Sequence, residues 1–416
     1  MKRDEVTLVI GGGVIGLCCA HFLARAGQQV IVVDRDPSRA QSCSDRNAGM
    51  VVPSHFTPLA APGVVSQGLR WMLDRRSPFF LRPRLDPALW KWCWQFLRHS
   101  HRRHVENTRE LLRDLSLESR QLFAELSTEL GFELAERGLL MLCQSESGLQ
   151  EEREVAEAAN ALGIEAEFCS AERLRELDPD VTMKARGGVW FPRDAHLDPA
   201  TFLAALKTSA EANNGQIRED SVVGFEFEGD SLRAAKTASG ESIPADHFVI
   251  AGGAWSPSIA SELGLQLPMQ AGKGYSFTLP TPSELPRRCS LLKEGRVAVT
   301  PLANQLRVAG TMEICGNDLS VDRIRLEGIV NSFCRFFPAF RPSDFENLEP
   351  WVGLRPCSPD GLPYVGFAPG WKNILVATGH AMLGLSLGPV TGRLVSDLIL
   401  QPQIETDTRI APGRFG

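Results

Sequence analysis

The sequence predicts an α/β fold, and three stretches carry that prediction. Residues 6–10, "VTLVI", form a continuous apolar run that meets the glycine cluster "GGGVIG". Residues 29–36, "QVIVVDRD", form a second apolar run that ends in acids. Far downstream, "NILVATGHAMLGLSLG" again leads an apolar run into glycines. Short continuous apolar runs suit strands buried on both faces of a parallel sheet. Between the first two, "GGGVIGLCCAHFLARAG" spaces its apolar residues as a helix does, with Gly27 as the stop. Strand, helix and strand make a βαβ unit.

The remaining elements follow in order. Residues 105–130 read as a helix rich in Leu, Glu and Arg, and 149–163 and 171–177 as two more, the first stopped by Gly163. In "LDPATFLAALKTSAEANNG", Asp198 is placed to cap a helix, Pro199 to open its first turn and Gly215 to follow its end. "SVVGFEFEGDSLRAAKTASGESIPADHFVIAGGAWS" reads as strands joined by a Gly-Asp turn, then a buried strand ending in glycines. Residues 296–300 and 306–311 form a hairpin through "PLANQ", and a helix from about 389 to 400 closes the chain. There is no internal repeat and no low-complexity tract.

A chain of 416 residues, 43% hydrophobic and 23% charged, has ordinary globular composition and length for two or three domains. Its net charge of −6 argues against a nucleic-acid partner held by overall positive charge. None of the ten cysteines forms a CxxC pair, so they read as reduced thiols and not as a disulfide framework or zinc site. His99, His101 and His104 sit among arginines, and no metal is expected there. The N-terminal apolar run is too short for a secretory leader, and no run of about 18 apolar residues is available to span a membrane. A cytoplasmic protein is expected.

Gly11, Gly13 and Gly16 are spaced for a dinucleotide. The first permits the tight turn, the second lets backbone approach a pyrophosphate, and the third lets helix and strand pack closely. Free N–H groups at the helix start, including those near Val14 and Ile15, can then face phosphate oxygens. Asp34 ends the second strand 18 residues after Gly16, where a ribose hydroxyl should lie. The motif fits NAD or FAD equally. The glycine-rich turn at Gly379 and Gly384 leans towards a flavin, because a helix N-terminus suits the negative charge a reduced flavin develops at N1 and C2=O. Its plain alternative is a helix start packed on the sheet.

These stretches occur with "CSDRNAGMVVP", "GGVWFPRDAHLDPATF", "GKGYSFTL", "VAGTMEICG" and "GLRPCSPDGLPYVG", in that family's own order. The chain resembles the D-amino acid oxidase superfamily of FAD-dependent oxidoreductases, in particular its D-amino acid dehydrogenase small-subunit type. The likeness is nearly end to end and weakest between about 60 and 135. It implies a doubly wound, Rossmann-like FAD-binding domain of glutathione-reductase type, and a smaller antiparallel-sheet substrate domain. It assigns 1–80, 150–180, 197–262 and 350–416 to the first, and 81–149, 181–196 and 263–349 to the second. It also implies oxidation of an amine that carries a carboxylate, to an imino acid that hydrolyses to a keto acid and ammonia. D-Proline and D-hydroxyproline are among the substrates it allows.

By the same resemblance, Gly11, Gly13, Val14, Ile15, Gly16, Asp34 and Arg35 hold the ADP half of FAD. Ser44, Asn47, Ala48, Gly49 and Met50 form the loop past the pyrophosphate and flavin ring. Val223 meets adenine through its backbone, Gly253 lies beside the cofactor, and Gly379, His380, Leu383 and Gly384 form the C-terminal flavin loop. Arg355 matches the arginine that grips the substrate carboxylate, and Tyr275 is a weaker candidate for the substrate side. Read without the resemblance, Arg355 is equally a carboxylate clamp or a salt-bridge partner of Glu349 or Asp360. His55 is either a specificity residue or an ordinary loop histidine, and His380 either meets flavin or substrate or plugs a helix start. Relatives with covalent flavin carry a cysteine where this chain has Gly353, so FAD is expected to be non-covalent.

Residues 65–104 stand apart. They hold Trp71, Trp90, Trp92 and Trp94, and nine Lys or Arg against two Asp. One reading is peripheral contact with the cytoplasmic face of the inner membrane, suited to a dehydrogenase that passes electrons to a respiratory quinone. The other is a helical layer with tryptophans in the core and arginines in water. Two further functions stay open: a glycine or sarcosine oxidase that uses oxygen, and a non-catalytic FAD-binding subunit, since fold does not fix function.

Overall fold

The computed structural model describes residues 5–35, 42–401 and 403–415. Two sheets organise them. The first runs in the order Gly215–Glu219, Gln29–Asp34, Val6–Ile10, His247–Ile250, Ile374–Thr378, Tyr364–Phe367. Its first five strands are parallel, and the last is antiparallel. Strand alternation divides its apolar residues cleanly. Val9, Val30, Val32, Val249, Leu375 and Ala377 pack on one face against the helices Val14–Arg25, Pro199–Ala212 and Gly388–Leu400. Leu8, Ile10, Val33, Phe248, Ile250 and Val376 pack on the other, beneath a small sheet of Val222–Glu228, Ser231–Thr237 and Ser242–Pro244. This layering is the doubly wound arrangement expected.

The local signals acted as read. Asp198 accepts from Ala200 N–H at the head of the helix Pro199–Ala212. The hairpin Val297–Leu302 to Gln305–Ile314 closes where Leu302 pairs with Gln305. All ten cysteines are free.

The second sheet is larger and mostly antiparallel. Its order is Trp351–Cys357, Gln270–Leu279, Gln305–Ile314, Val297–Leu302, Cys289–Leu292, Leu139–Cys143, Gly187–Phe191, Glu167–Ser170, with Phe79–Leu81 added beside Gln305–Ile314. The helix Arg323–Phe336 covers one face, where Phe333, Phe336 and Phe337 fill the core with Val299, Val308 and Phe277. The opposite face looks towards the first sheet.

Two segments sit elsewhere than the expected division has them. Glu167–Ser170, within 150–180, pairs with Gly187–Phe191 in the second sheet. Trp351–Cys357, within 350–416, is that sheet's edge strand beside Gln270–Leu279. Local sequence makes a strand, but distant partners decide which sheet takes it.

The turn after that edge strand is held by charge. Asp360 is buried and receives Arg414 in a two-pronged pair, Nε to Oδ2 at 2.7 Å and Nη2 to Oδ1 at 3.0 Å. Removing one partner of a buried pair strands the other charge. Arg414→Met should therefore lower unfolding free energy by about 3–5 kcal/mol in denaturant melts, and a loss under about 1 kcal/mol would contradict this role.

Candidate active site

The cradle begins at the end of the first strand. Gly11 has φ +114°, and its N–H donates to Val33 O at 2.9 Å. That conformation is open to glycine alone at low energy. A Cβ at Gly16 would collide with the Gly11 carbonyl, so glycine there sets how closely the helix approaches the strand. The helix Val14–Arg25 carries no acid in its first turn, which leaves its positive end facing the cavity. The Val14 N–H donates to Ser44 Oγ at 3.0 Å, and Gly12 N–H donates to Asp34 Oδ2 at 2.5 Å. Asp34 thus also closes the glycine turn, a role that spacing did not reveal.

Ser44 to Met50 cross from the first sheet to the second. Three consecutive carbonyls of this loop are held by side chains of the second sheet. Ser276 Oγ donates to Arg46 O at 2.8 Å, Arg307 Nη1 to Asn47 O at 3.1 Å, and Thr300 Oγ1 to Ala48 O at 2.6 Å. Within the loop, Asn47 Nδ2 donates to Ser44 O, and Asn47 Oδ1 accepts from Gly49 N–H, both at 2.8 Å. Met50–Val51 then pairs with Ala195–Leu197. None of the three clamping residues was singled out from sequence, because each is an ordinary strand residue until its partner is known.

A single cavity of about 1410 Å³ joins these parts. Gly11, Gly13, Val14, Ile15, Asp34, Arg35, Ser44, Asn47, Ala48, Gly49, Met50, Gly253, His380, Leu383 and Gly384 all border it, as do His55 and Arg355. Gly379 adjoins it, with its Cα packed against the Tyr364 ring. Arg35 lies over the Trp255 ring at 3.9 Å from its centroid. Ala298 and Ala309 present only methyl groups to the cavity, and Gly274 borders it without a side chain.

Arg355 lies on the edge strand, opposite Gly272 and diagonal to Gly274. Its guanidinium fills the space that a Cβ on Gly274 would need. Nη1 donates to Thr311 O at 2.9 Å. Thr311 sits in a bulge, with φ +70°, where the register between Gln270–Leu279 and Gln305–Ile314 slips. A β-branched residue with positive φ is uncommon, and bulges re-aim backbone groups near sites. Among the described residues no carboxylate pairs with Arg355. Asp360, its sequence neighbour, is taken by Arg414. Burial lowers the Arg355 pKa, with the nearby thiols of Cys357 and Cys43 opposing.

His380 Nε2 meets Thr391 Oγ1 at 2.9 Å, while its Nδ1 is buried without a partner. Burial lowers its pKa to about 3, so it is neutral at pH 7. His55 is likewise held neutral: burial, then the charge of Arg296, lower its pKa to about 4.

One assignment is corrected. Tyr275 borders the cavity, but its ring lies in the core beneath the helix Arg323–Phe336. Its hydroxyl donates to Glu313 Oε1 at 2.6 Å and accepts from Asp322 N–H at 3.2 Å. Parity is the reason: Gly274 and Ser276 face the cofactor loop, so Tyr275 between them faces away. Val223 is 61% exposed, and Asp220, Ser221 and Val222 beside it border the cavity.

A glycine turn that only glycine can adopt, a helix end without acids, an orphan buried imidazole nitrogen and a cavity reaching both sheets fit a flavin dinucleotide. A family profile described as "FAD dependent oxidoreductase" matches residues 7–398, and the chain belongs to that family. It is an FAD-dependent oxidoreductase. A protein named D-amino acid dehydrogenase from Methylobacterium radiotolerans is 33% identical, over 98% of this chain and 99% of its own. Another of that name, from Rhizorhabdus wittichii, is 34% identical over 96% of this chain and 97% of its own. Among solved structures, glycine oxidase from Geobacillus kaustophilus has a TM-score of 0.76 at 22% identity, covering 99% of both chains. L-Proline dehydrogenase from P. horikoshii has a TM-score of 0.75 at 19% identity, covering 100% of this chain and 98% of that one.

Gly274→Ala tests the guanidinium's seat. The added methyl should displace Arg355 and weaken acetate binding, read from perturbation of the flavin spectrum, by about tenfold, or about 1.4 kcal/mol. Undiminished acetate binding would show that Arg355 does not meet carboxylates from this position.

Proposed function

We propose that the protein is an FAD-dependent dehydrogenase that oxidises the Cα–N bond of D-amino acids, with D-proline and D-hydroxyproline among its substrates. One observation carries the reading: Arg355 borders the cavity as a cation without a carboxylate partner among the described residues. A guanidinium in such a place favours an anion from outside, and its planar fork suits a carboxylate. The D configuration rests on the two D-amino acid dehydrogenases.

FAD, held in this cavity, would supply the acceptor for a hydride from Cα. The protein's own part is to hold and exclude. Arg355 would fix the substrate carboxylate, and the small residues Ala298 and Ala309 leave room for a ring beside it. Orientation of this kind can contribute about 7–11 kcal/mol to the barrier. Gly11, Gly13, Val14 and Ile15 would take the pyrophosphate, Asp34 and Arg35 the adenosine, and Asn47 to Met50 with Gly379 to Gly384 the flavin. Gly353, beside Cys43 and the Trp351 ring, offers no thiol of its own and supports a non-covalent cofactor.

Anaerobic titration with D-proline should bleach the flavin near 450 nm, a wavelength ordinary for flavins. Arg355→Met should raise KM about a hundredfold, some 2.7 kcal/mol, while FAD stays bound. Bleaching by no amino acid would favour a non-catalytic subunit. Hydrogen peroxide formed in step with substrate, without dye, would favour an oxidase.

The electron acceptor is proposed to be a membrane quinone, reached from the surface at residues 65–104. Helix Pro87–His99 is apolar on two faces. Leu89 and Trp92 point inward, and Trp92 Nε1 donates to Cys357 O at 2.9 Å. Trp90, Trp94 and Leu97 are exposed at helical spacing, near exposed Leu69, Leu73 and Leu85. Leu69 and Leu97 also border the cavity, so the patch adjoins its mouth. Arg75, Arg76 and Arg82 pair with acids beyond the segment, but Arg70, Arg98 and Arg103 have no acid partner among the described residues. Exposed aromatics beside unpaired cations suit an anionic lipid surface. No helix among the described residues is long and apolar enough to cross a membrane. The protein should sediment with phosphatidylglycerol vesicles at low salt, and Trp90→Ser with Trp94→Ser should abolish most of that. Failure to sediment would remove the membrane from the proposal.

A further inference from the structure

One chain of polar groups leads out of the cavity and is used by nothing described so far. His55 borders the cavity, and its Nδ1 lies 3.0 Å from Ser54 Oγ. Ser54 Oγ lies 2.5 Å from Asp194 Oδ2, and Ser54 N–H donates to Asp194 Oδ1 at 3.1 Å. Asp194 is fully buried, in the turn between Gly187–Phe191 and Ala195–Leu197. Among the described residues no arginine or lysine forms an ion pair with it. A buried carboxylate bound only by one serine is not there for stability, because its desolvation exceeds what two hydrogen bonds return.

The order of donors fixes the imidazole. While Asp194 is ionised it can only accept, so the Ser54 hydroxyl donates to it. Ser54 Oγ then has only lone pairs left for Nδ1, and Nδ1 must carry the hydrogen. The other nitrogen, Nε2, is bare and makes no hydrogen bond among the described residues. His55 is thereby held as an acceptor on the cavity side.

We propose that His55, Ser54 and Asp194 form a proton relay that removes the proton from the substrate's ammonium group before its C–H bond is oxidised. This rests on the reading of the cavity as an amino-acid oxidising site. The bookkeeping is closed. The substrate N–H bond breaks, and the proton joins His55 Nε2. The Nδ1 proton passes to Ser54 Oγ, and the serine's own proton passes to Asp194 Oδ2. The nitrogen lone pair is freed, Asp194 ends as a neutral acid, and no electrons change hands.

The environment favours that direction. Burial raises the Asp194 pKa to about 7, although Ser54 and Arg120 oppose it, whereas burial and Arg296 lower that of His55 to about 4. An imidazolium is therefore a poor resting place, and the proton moves on to a site where it cancels a charge. The other titratable groups nearby are accounted for. The Cys289 thiol beside Asp194 is kept protonated by burial, and Lys293, which borders the cavity with Glu151 and Glu152, pairs with both, at 3.0 and 2.6 Å. Arg355 and the apolar walls also disfavour a charged amine in the cavity.

In this scheme His55 touches substrate, and Ser54 and Asp194 are positioning residues that act through it. Two variants separate a relay from a merely structural role. Ser54→Ala keeps the backbone N–H to Asp194 but removes the bridge, and His55→Gln removes the acceptor at similar volume. Flavin reduction by D-proline is followed under anaerobic conditions from pH 6 to 10.5. Each variant should lose about 10²-fold at pH 7 and converge on the wild type at high pH, where the amine is already neutral in solution. A loss of equal size at every pH, or no loss, would overturn the relay. Failure of the wild type to reduce its flavin with any amino acid would instead overturn the functional reading. A second measurement is independent of turnover. In ¹⁵N-histidine NMR of the FAD-bound protein, the resonance missing from His55→Gln should show hydrogen on Nδ1 in the wild type. Ser54→Ala should move part of it to Nε2, and an Nε2–H resonance in the wild type above pH 8 would contradict the mechanism.

Discussion

Much of the architecture answers to one constraint: the Arg355 guanidinium borders a cavity with no acid paired to it among the described residues. Water solvates such a group well and a protein interior poorly. Here the shortfall is met by a carbonyl rather than a carboxylate. Thr311 is turned into a left-handed conformation within a bulge, and its oxygen faces Arg355. Gly274 yields the space a side chain would occupy. Asp360, close in sequence, is kept from Arg355 by Arg414. A dipole steadies the cation without cancelling its charge.

The second requirement is that two sheets of different type hold one cavity between them. The loop from Ser44 to Met50 does this by giving one partner to each side. Ser44 touches the start of the first helix, and the next carbonyls are fixed by Ser276, Arg307 and Thr300 from the second sheet. Strands are stiff and present side chains at regular intervals, so a loop clamped at three successive residues inherits their precision.

The legible part of the chain was the part whose chemistry is local. Gly11, Gly16 and Asp34 announce themselves by spacing, and the alternating faces of the first sheet follow from runs such as "VTLVI". Arg355 was singled out for a different reason: the residues around it resemble a known family, and nothing local distinguishes it from a surface charge. What escaped was set by distant pairing. Tyr275 carried the expected residue type, but one step of strand parity turned it to the far face. Asp194 and Ser54 lie 140 residues apart, and neither looks unusual until the fold joins them. The sheet membership of Glu167–Ser170 and Trp351–Cys357 escaped in the same way.

The floor of the cavity carries a consequence for how such a protein could diversify. Ala298 and Ala309 contribute only methyl groups to its lining. Selectivity for bulk is therefore adjustable by small additions at these two positions, on separate strands, while the charged groups stay where they are. At Ala298 and Ala309, acceptance of a new ring or chain and the polar machinery that orients it are written in different residues, so one can drift without dismantling the other.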